Sequence, residues 1–156
     1  MPRTADKGAP SAALRREIEA DCQRVLLSAF RELDEFAYAQ LAARFTPDGT
    51  WHREGREYAG RGQILAALEE RPRTQVVRHI VTNLTVGVDS ASRAVASGYN
   101  TVFRALDASA ADVPIAITSP LGMWVLDATL VRSGDAWLIE DLRQTRQFSF
   151  GEPGAG

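Results

Sequence analysis

The sequence predicts an α+β fold, and three observations lead there. Helical periodicity is confined to the first half of the chain, four long strand-like segments fill the second half, and turn-rich joints separate most neighbouring segments. Helices first and antiparallel strands afterwards are the signature of α+β architecture. The expected shape is a cone-shaped α+β barrel, with three N-terminal helices packed in the concave face of a strongly curved, mainly antiparallel sheet. Such a cone closes at one end and leaves an apolar pocket at the other, a common location for small ligands.

The elements follow in order. Residues 1–12 and the tail "GEPGAG" (151–156) are rich in Gly, Pro, Ala and small polar residues and are expected to be disordered, leaving one domain over 13–150. From Leu14, the apolar positions Ile18, Cys22, Val25, Ala29 and Leu33 recur at helical spacing, widened by Leu26 and Phe30, so 13–32 reads as one amphipathic helix. Asp34 precedes a second short helical pattern, Phe36, Leu41 and Phe45, ended by "TPDG". "TWHREGREYAG" reads as a short strand or hairpin with a Gly-led turn, and "GRGQILAALEER" as a third helix closed by Pro72. "TQVVRHIVTNLTVGVD", "RAVASGYNTVFRAL", "GMWVLDATLVRS" and "AWLIEDLRQTRQFSF" are the strands. "DSAS" and "SGD" are tight joints, and "DASAADVPIAITSP" is a longer crossover.

Composition narrows the function classes. The chain has 156 residues, 45% hydrophobic and 24% charged, enough for one core without metals or disulfides. Net charge is −2 with no block of like charge, which gives no footprint for nucleic acid and no basic membrane-binding helix. The single cysteine, Cys22, excludes an intrachain disulfide and reads as a small core residue. No apolar run approaches the ~20 residues of a membrane span. The start "MPRTADKGAP" has no apolar h-region, so the expected location is cytoplasmic.

The chemistry centres on "VVRHIVTNLTV", where His79 interrupts an apolar strand. A polar imidazole on a sheet needs a hydrogen-bonding partner. By strand alternation His79, Val81, Asn83 and Thr85 share one face, expected to be the cavity face. An imidazole titrates near ~6.5 in water and can take and release a proton at neutral pH.

Four segments, "RELDEFAYAQLAARFTPDGTW", "YAGRGQILAAL", "RHIVTNLTV" and "SGDAWLIEDLRQTRQF", resemble the nuclear-transport-factor-2-like superfamily, in its polyketide-cyclase (SnoaL-like) branch, over about residues 14–150. Two lyases of that superfamily, hexachlorocyclohexane dehydrochlorinase and scytalone dehydratase, use an Asp–His pair inside the cone. The resemblance places Asp34 on that aspartate and His79 on that histidine, and it places Trp51 on a pocket aromatic. Either Arg143 or Arg146 corresponds to a pocket arginine of the last strand. The second histidine of scytalone dehydratase has no counterpart, since "ASGYNTVF" offers only Tyr99 and Asn100 there.

A carboxylate on one ring nitrogen fixes the tautomer, leaves the other nitrogen for substrate and stabilises the imidazolium formed on proton transfer. An Asp34–His79 pair is therefore suited to removing a proton from carbon beside a carbonyl or a leaving group. Tyr38, Asn83, Tyr99 and the last-strand arginine are candidates for stabilising the resulting enolate. The expectation is a cofactor- and metal-free lyase, isomerase or cyclase acting on a small, largely apolar cyclic or polyketide-like molecule. The alternatives are a non-catalytic ligand-binding domain or an accessory subunit of the same fold. Asp34 could equally be a plain helix N-cap and His79 a satisfied core histidine. His52, in "HREGRE", is expected at a solvated or rim position, and Trp124 and Trp137 are expected to pack the sheet. Apolar residues on both faces of "VLDATLVRS" and "AVASGYNTVF" suggest a homodimer through the sheet.

Overall fold

The computed structural model describes residues 9–150, so all of the tail and all but 9–12 of the N-terminal arm lie outside the described residues. Ser11 caps the first helix, accepting the Leu14 N–H on its Oγ at 3.2 Å. That helix, α1 (Ala12–Asp34), buries Ile18, Cys22, Leu26, Ala29, Phe30 and Leu33 on one stripe. Burial pushes the Cys22 thiol up to about 12, in keeping with a core residue. A short α2 (Tyr38–Ala43) follows, then β1 (Phe45–Arg53), β2 (Arg56–Ala59), α3 (Gly60–Glu69), β3 (Val76–Ser90), β4 (Arg93–Ala105), β5 (Gly122–Ser133) and β6 (Ala136–Ser149).

The six strands form one open sheet in the order β2-β1-β6-β5-β4-β3. Every pairing is antiparallel except β1 with β6, which is parallel. The core lies between the helices and the inner face, around Leu26, Phe45, Ile64, Leu126, Leu130 and Ile139. Glu54 and Gly55 join β1 to β2 with φ of 54° and 75°, the two positive values that a tight hairpin turn of matching twist needs.

The segment "TPDG" does not end α2; it lies within β1. The register of β1 against β6 shifts between Phe45 and Thr50, and this irregularity accommodates Pro47, which has no N–H to give a ladder. Gly49 sits so close that an added Cβ would lie 2.9 Å from the Ile139 carbonyl oxygen. Turn-like composition here marks a bulged strand beside a neighbouring backbone.

Helix α1 runs along the free edge of β3 and pairs with three of its backbone groups. Arg15 Nη1 donates to Val88 O at 3.1 Å, Gln23 Nε2 donates to Leu84 O at 3.4 Å, and the His79 N–H donates to Asp34 Oδ2 at 2.9 Å. Eight and then eleven helical residues separate the three side chains, about 12 and 16 Å at the usual rise. Their partners are four and then five strand residues apart, about 13 and 16 Å. The two rises match, so one helix shields an edge that would otherwise be open to another strand.

A bulge in β3 decides which face each of its residues takes. Thr82 pairs with Tyr99 and Thr85 with Ser97, so Asn83 and Leu84 together oppose Gly98. Asn83 takes φ 53°, and a Cβ on Gly98 would approach Thr82 O to 3.1 Å, so the facing strand needs glycine at this point. Val77, His79 and Val81 face inward before the bulge, and Leu84, Val86 and Val88 after it. The expected sharing of one face by His79, Asn83 and Thr85 is thereby corrected: Asn83 and Thr85 are exposed.

Across the outer side of the β1–β6 seam, Asp141 gathers polar partners. Thr50 Oγ1 donates to its Oδ1 at 2.5 Å, His52 Nε2 lies 2.9 Å from the same oxygen, and Arg143 Nε donates to Oδ2 at 3.2 Å. Burial alone would raise the Asp141 pKa, yet the hydrogen bonds from Thr50 and His52 and the charge of Arg143 outweigh it, holding the carboxyl below its ordinary value. A depressed carboxyl adds stability above its unfolded pKa and loses that contribution as pH falls through the folded one. Asp141→Asn should therefore lower the melting temperature at neutral pH, with a gap from the parent that closes in acid. A gap that stays constant on thermal melts from neutral pH down into the acid range would contradict this assignment.

Candidate functional site

Asp34 is the last residue of α1, and the chain turns sharply after it through Phe36 at φ 58°. This delivers the carboxylate to the start of β3. Oδ2 takes the His79 backbone N–H, and Oδ1 lies 2.6 Å from His79 Nδ1. The two side chains are only 11% and 9% exposed, and the Phe30 ring lies against the imidazole at 5.5 Å between centroids. An ionised carboxylate only accepts, so Nδ1 carries the hydrogen of this short contact. Nε2 has no hydrogen-bond partner among the described residues. Asp34 does not cap α2, whose N-cap position is Ala37 with no side-chain hydrogen bond.

The imidazole lines a cavity of about 150 Å³. Val77, Val102, Leu121 and Trp124 give it an apolar body, while Arg53, Arg71, Arg104, Gln75 and Gln144 make the remainder polar. This is a more polar lining than the apolar pocket expected from the cone alone. Gly122 has a specific part in it: a Cβ there would come within 2.7 Å of the Trp124 ring, so glycine leaves room for the indole to fold back over the strand. Trp124 thus borders the cavity, which sheet packing alone does not describe, whereas Trp137 is a core residue at 5% exposure.

The other sequence candidates fall at different depths. Tyr38 is buried, with its hydroxyl accepting from Arg71 Nη1 at 3.0 Å, so it stands behind a cavity-lining guanidinium. Trp51 is buried on Phe45, and its Nε1 donates to Gln144 Oε1 at 3.2 Å, fixing another lining residue. Asn83 sits exposed in the β3 bulge. Tyr99 is on the outer face of β4, 44% exposed, because the buried residues of that strand are Ala94, Ala96, Gly98, Asn100 and Val102. Of the two arginines, Arg143 lies on the outer face beside Asp141 and His52. Arg146 is on the inner side, its guanidinium 5.1 Å from the Trp124 ring and donating to Leu121 O at 2.7 Å. His52, expected as solvated or at the rim, is partly buried on the outer seam, 21% exposed.

Sequence reasoning missed three groups of residues. Arg53, Arg71 and Arg104 lie in a hairpin end, a helix-to-strand loop and a strand end, and only the fold brings them to one opening. Arg71 donates to Leu33 O at 3.1 Å as well as to Tyr38. Burial lowers its pKa, the Tyr38 hydroxyl opposes that shift and nearby Arg53 adds to it. A guanidinium stays charged through such a shift. Gln144 was hidden in a polar run of β6. Asn100 is fully buried on the inner face of β4 between Val81 and Trp124, and neither amide atom has a partner among the described residues. Its interruption of a small apolar strand face was one signal, and the family resemblance had already set it, with Tyr99, at the place of a second histidine. Among the described residues no three His, Cys, Asp or Glu side chains are grouped to hold a metal ion.

The family profile described as SnoaL-like domain matches residues 15–143. No curated protein matches the chain. Among solved structures, a Catenulispora acidiphila protein in complex with S-DNPA is 25% identical, with TM-score 0.67, covering 86% of this chain and 95% of that one. ActVI-ORFA from Streptomyces coelicolor is 22% identical at TM-score 0.68, over 81% of this chain and 95% of its own. A Novosphingobium aromaticivorans protein assigned as a scytalone dehydratase is 14% identical at TM-score 0.73, over 91% and 92% of the two chains. The last two likenesses speak for the fold.

Proposed function

The chain belongs to the SnoaL-like domain family, and from that premise we propose that it is a cofactor-independent acid–base enzyme of lyase, isomerase or cyclase type. Its substrate is a small cyclic or polyketide-like molecule whose apolar body packs on Trp124, Val77 and Val102. The observation that carries this reading is the 2.6 Å contact of Asp34 with His79 at the wall of a cavity. His79 Nε2 takes a proton from carbon next to a carbonyl, and Asp34 stabilises the imidazolium that results. The negative charge moves to the carbonyl oxygen, in a cavity whose nearby guanidinium groups favour it. The proton then returns to a leaving hydroxyl in a dehydration or to another carbon in an isomerisation. In a ring closure, the enolate carbon attacks a second carbonyl.

A non-catalytic binding domain is the second reading, favoured by the bound small molecule in the Catenulispora relative. Deuterium exchange separates the two. With α-tetralone in D2O, the protein should speed exchange at the carbon next to the carbonyl, followed by NMR. His79→Gln should lose about 10²–10⁴-fold of that rate, the usual range for a general base, with an unchanged circular dichroism spectrum. Exchange by His79→Gln at the parent rate would refute the acid–base role, and binding without exchange by the parent would leave the binding reading.

We also propose a homodimer through the outer face of the sheet, where Ile80, Val95 and Tyr99 are 47%, 41% and 44% exposed. Sedimentation equilibrium at micromolar concentration should give twice the chain mass, and Val95→Lys should give the monomer. A parent that sediments as monomer throughout would contradict it.

A further inference from the structure

We propose that the substrate carries a carboxylate, held at the cavity opening by Arg71 and Arg104. This deepens the acid–base reading and rests on the same cavity. The charge balance of the lining carries the inference. Arg53, Arg71 and Arg104 all border the space that His79 borders, and Arg146 borders the adjoining opening with Arg104, Trp124 and Gln144. Glu54 is the one acidic residue that borders either, and it lies 3.5 Å from Arg53.

The remaining guanidinium groups form no ion pair with a carboxylate of the protein among the described residues; Asp34, already engaged by His79, acts on Arg71 only from beyond pairing distance. Arg71 is half-buried, yet its partners are a carbonyl oxygen and a phenol, both neutral. Arg104 makes no hydrogen bond or ion pair among the described residues, and Arg146 donates only to a carbonyl oxygen. Like charges gathered around a partly dry hollow repel one another, and burial makes that repulsion stronger than in water. An incoming anion relieves the repulsion and supplies the acceptors that these planar forks are built to take in pairs.

Position along the strands adds a dimension to the ligand. Arg104 pairs with Val77, and Val102 pairs with His79, so the rim arginine stands two residues along the ladder from the imidazole. Two residues of strand are about 7 Å. This backbone spacing sets the scale of the ligand at about one ring between a carboxylate on Arg104 and the imidazole. Trp124, Val77 and Val102, which line the same cavity, are the apolar surfaces available to such a ring. The substrate class is a compact ring acid, with its acidic C–H about a ring's width from the carboxylate.

Titration calorimetry with benzoate and benzamide, which share shape and differ in charge, tests this. Benzoate should bind the parent protein about 10–100-fold more tightly than benzamide, the worth of hydrogen bonds to a charged group. Arg104→Gln, a change at an exposed rim position, should remove most of that preference, and added salt should weaken it. Arg71→Gln should do the same, with Arg104→Gln as the informative variant if loss of the Leu33 and Tyr38 bonds unfolds the former. His79→Gln should keep the preference while losing deuterium exchange, which separates failure of the anion site from failure of the acid–base reading. Equal affinity for the two ligands, no benzoate binding at millimolar concentration, or a preference unaltered in Arg104→Gln would overturn the proposal.

Discussion

The arrangement depends on a two-pronged contact between one carboxylate and one strand residue. Asp34 grips His79 twice, through the backbone N–H and through Nδ1. The first bond is structural: it occupies a donor on the free edge of β3 and fixes where the end of α1 meets the sheet. The second is chemical: it sets which ring nitrogen carries hydrogen and which is left over. Because both come from one side chain, the bond that docks the helix also holds the carboxylate at Nδ1, and turning the ring would give up that short contact. Phe30 packs against the ring at 5.5 Å between centroids, tilted by 37°.

Around that pair, polar residues are placed by residues that never reach the cavity. Tyr38 and the Leu33 carbonyl aim Arg71, Trp51 aims Gln144, and the missing side chain of Gly122 admits Trp124. Preorganised polar groups of this kind stabilise charge without having to reorient when it appears. The inner face of the sheet is thus divided lengthwise. Beyond the β3 bulge, toward the start of α1, it is an aliphatic core, and before the bulge it is a lined hollow with a cationic opening.

Much of the fold was legible because its signals are periodic. The stripe Ile18–Cys22–Leu26–Phe30 and the long β-branched segments gave the helix and strands directly, and the inner face of β4 follows strict alternation. Faces went astray where an extra residue breaks the period. The β3 bulge turns Asn83 out, and extra residues of β6, near Glu140 and Gln147, leave Leu142, Gln144 and Arg146 inside and Arg143 outside. Hydropathy carries no mark of a bulge, which is set by a backbone angle and by the partner strand. The pairing of Asp34 with His79 was reached through family resemblance, since no local rule links residues so far apart in sequence. The cationic rim was out of reach because its arginines come from three separate loops and strand ends, each of which reads alone as ordinary surface.

The held imidazole can be observed directly by long-range proton–nitrogen correlation NMR on the parent protein and on Asp34→Asn. At a pH where the ring is neutral, the His79 nitrogens should show Nδ1 protonated and Nε2 bare, with the Nδ1 proton shifted far downfield by the carboxylate. Asp34→Asn should erase that shift and let the tautomers mix. A His79 ring protonated at Nε2 in the parent, or averaged between tautomers with or without Asp34, would mean that the carboxylate does not hold the base.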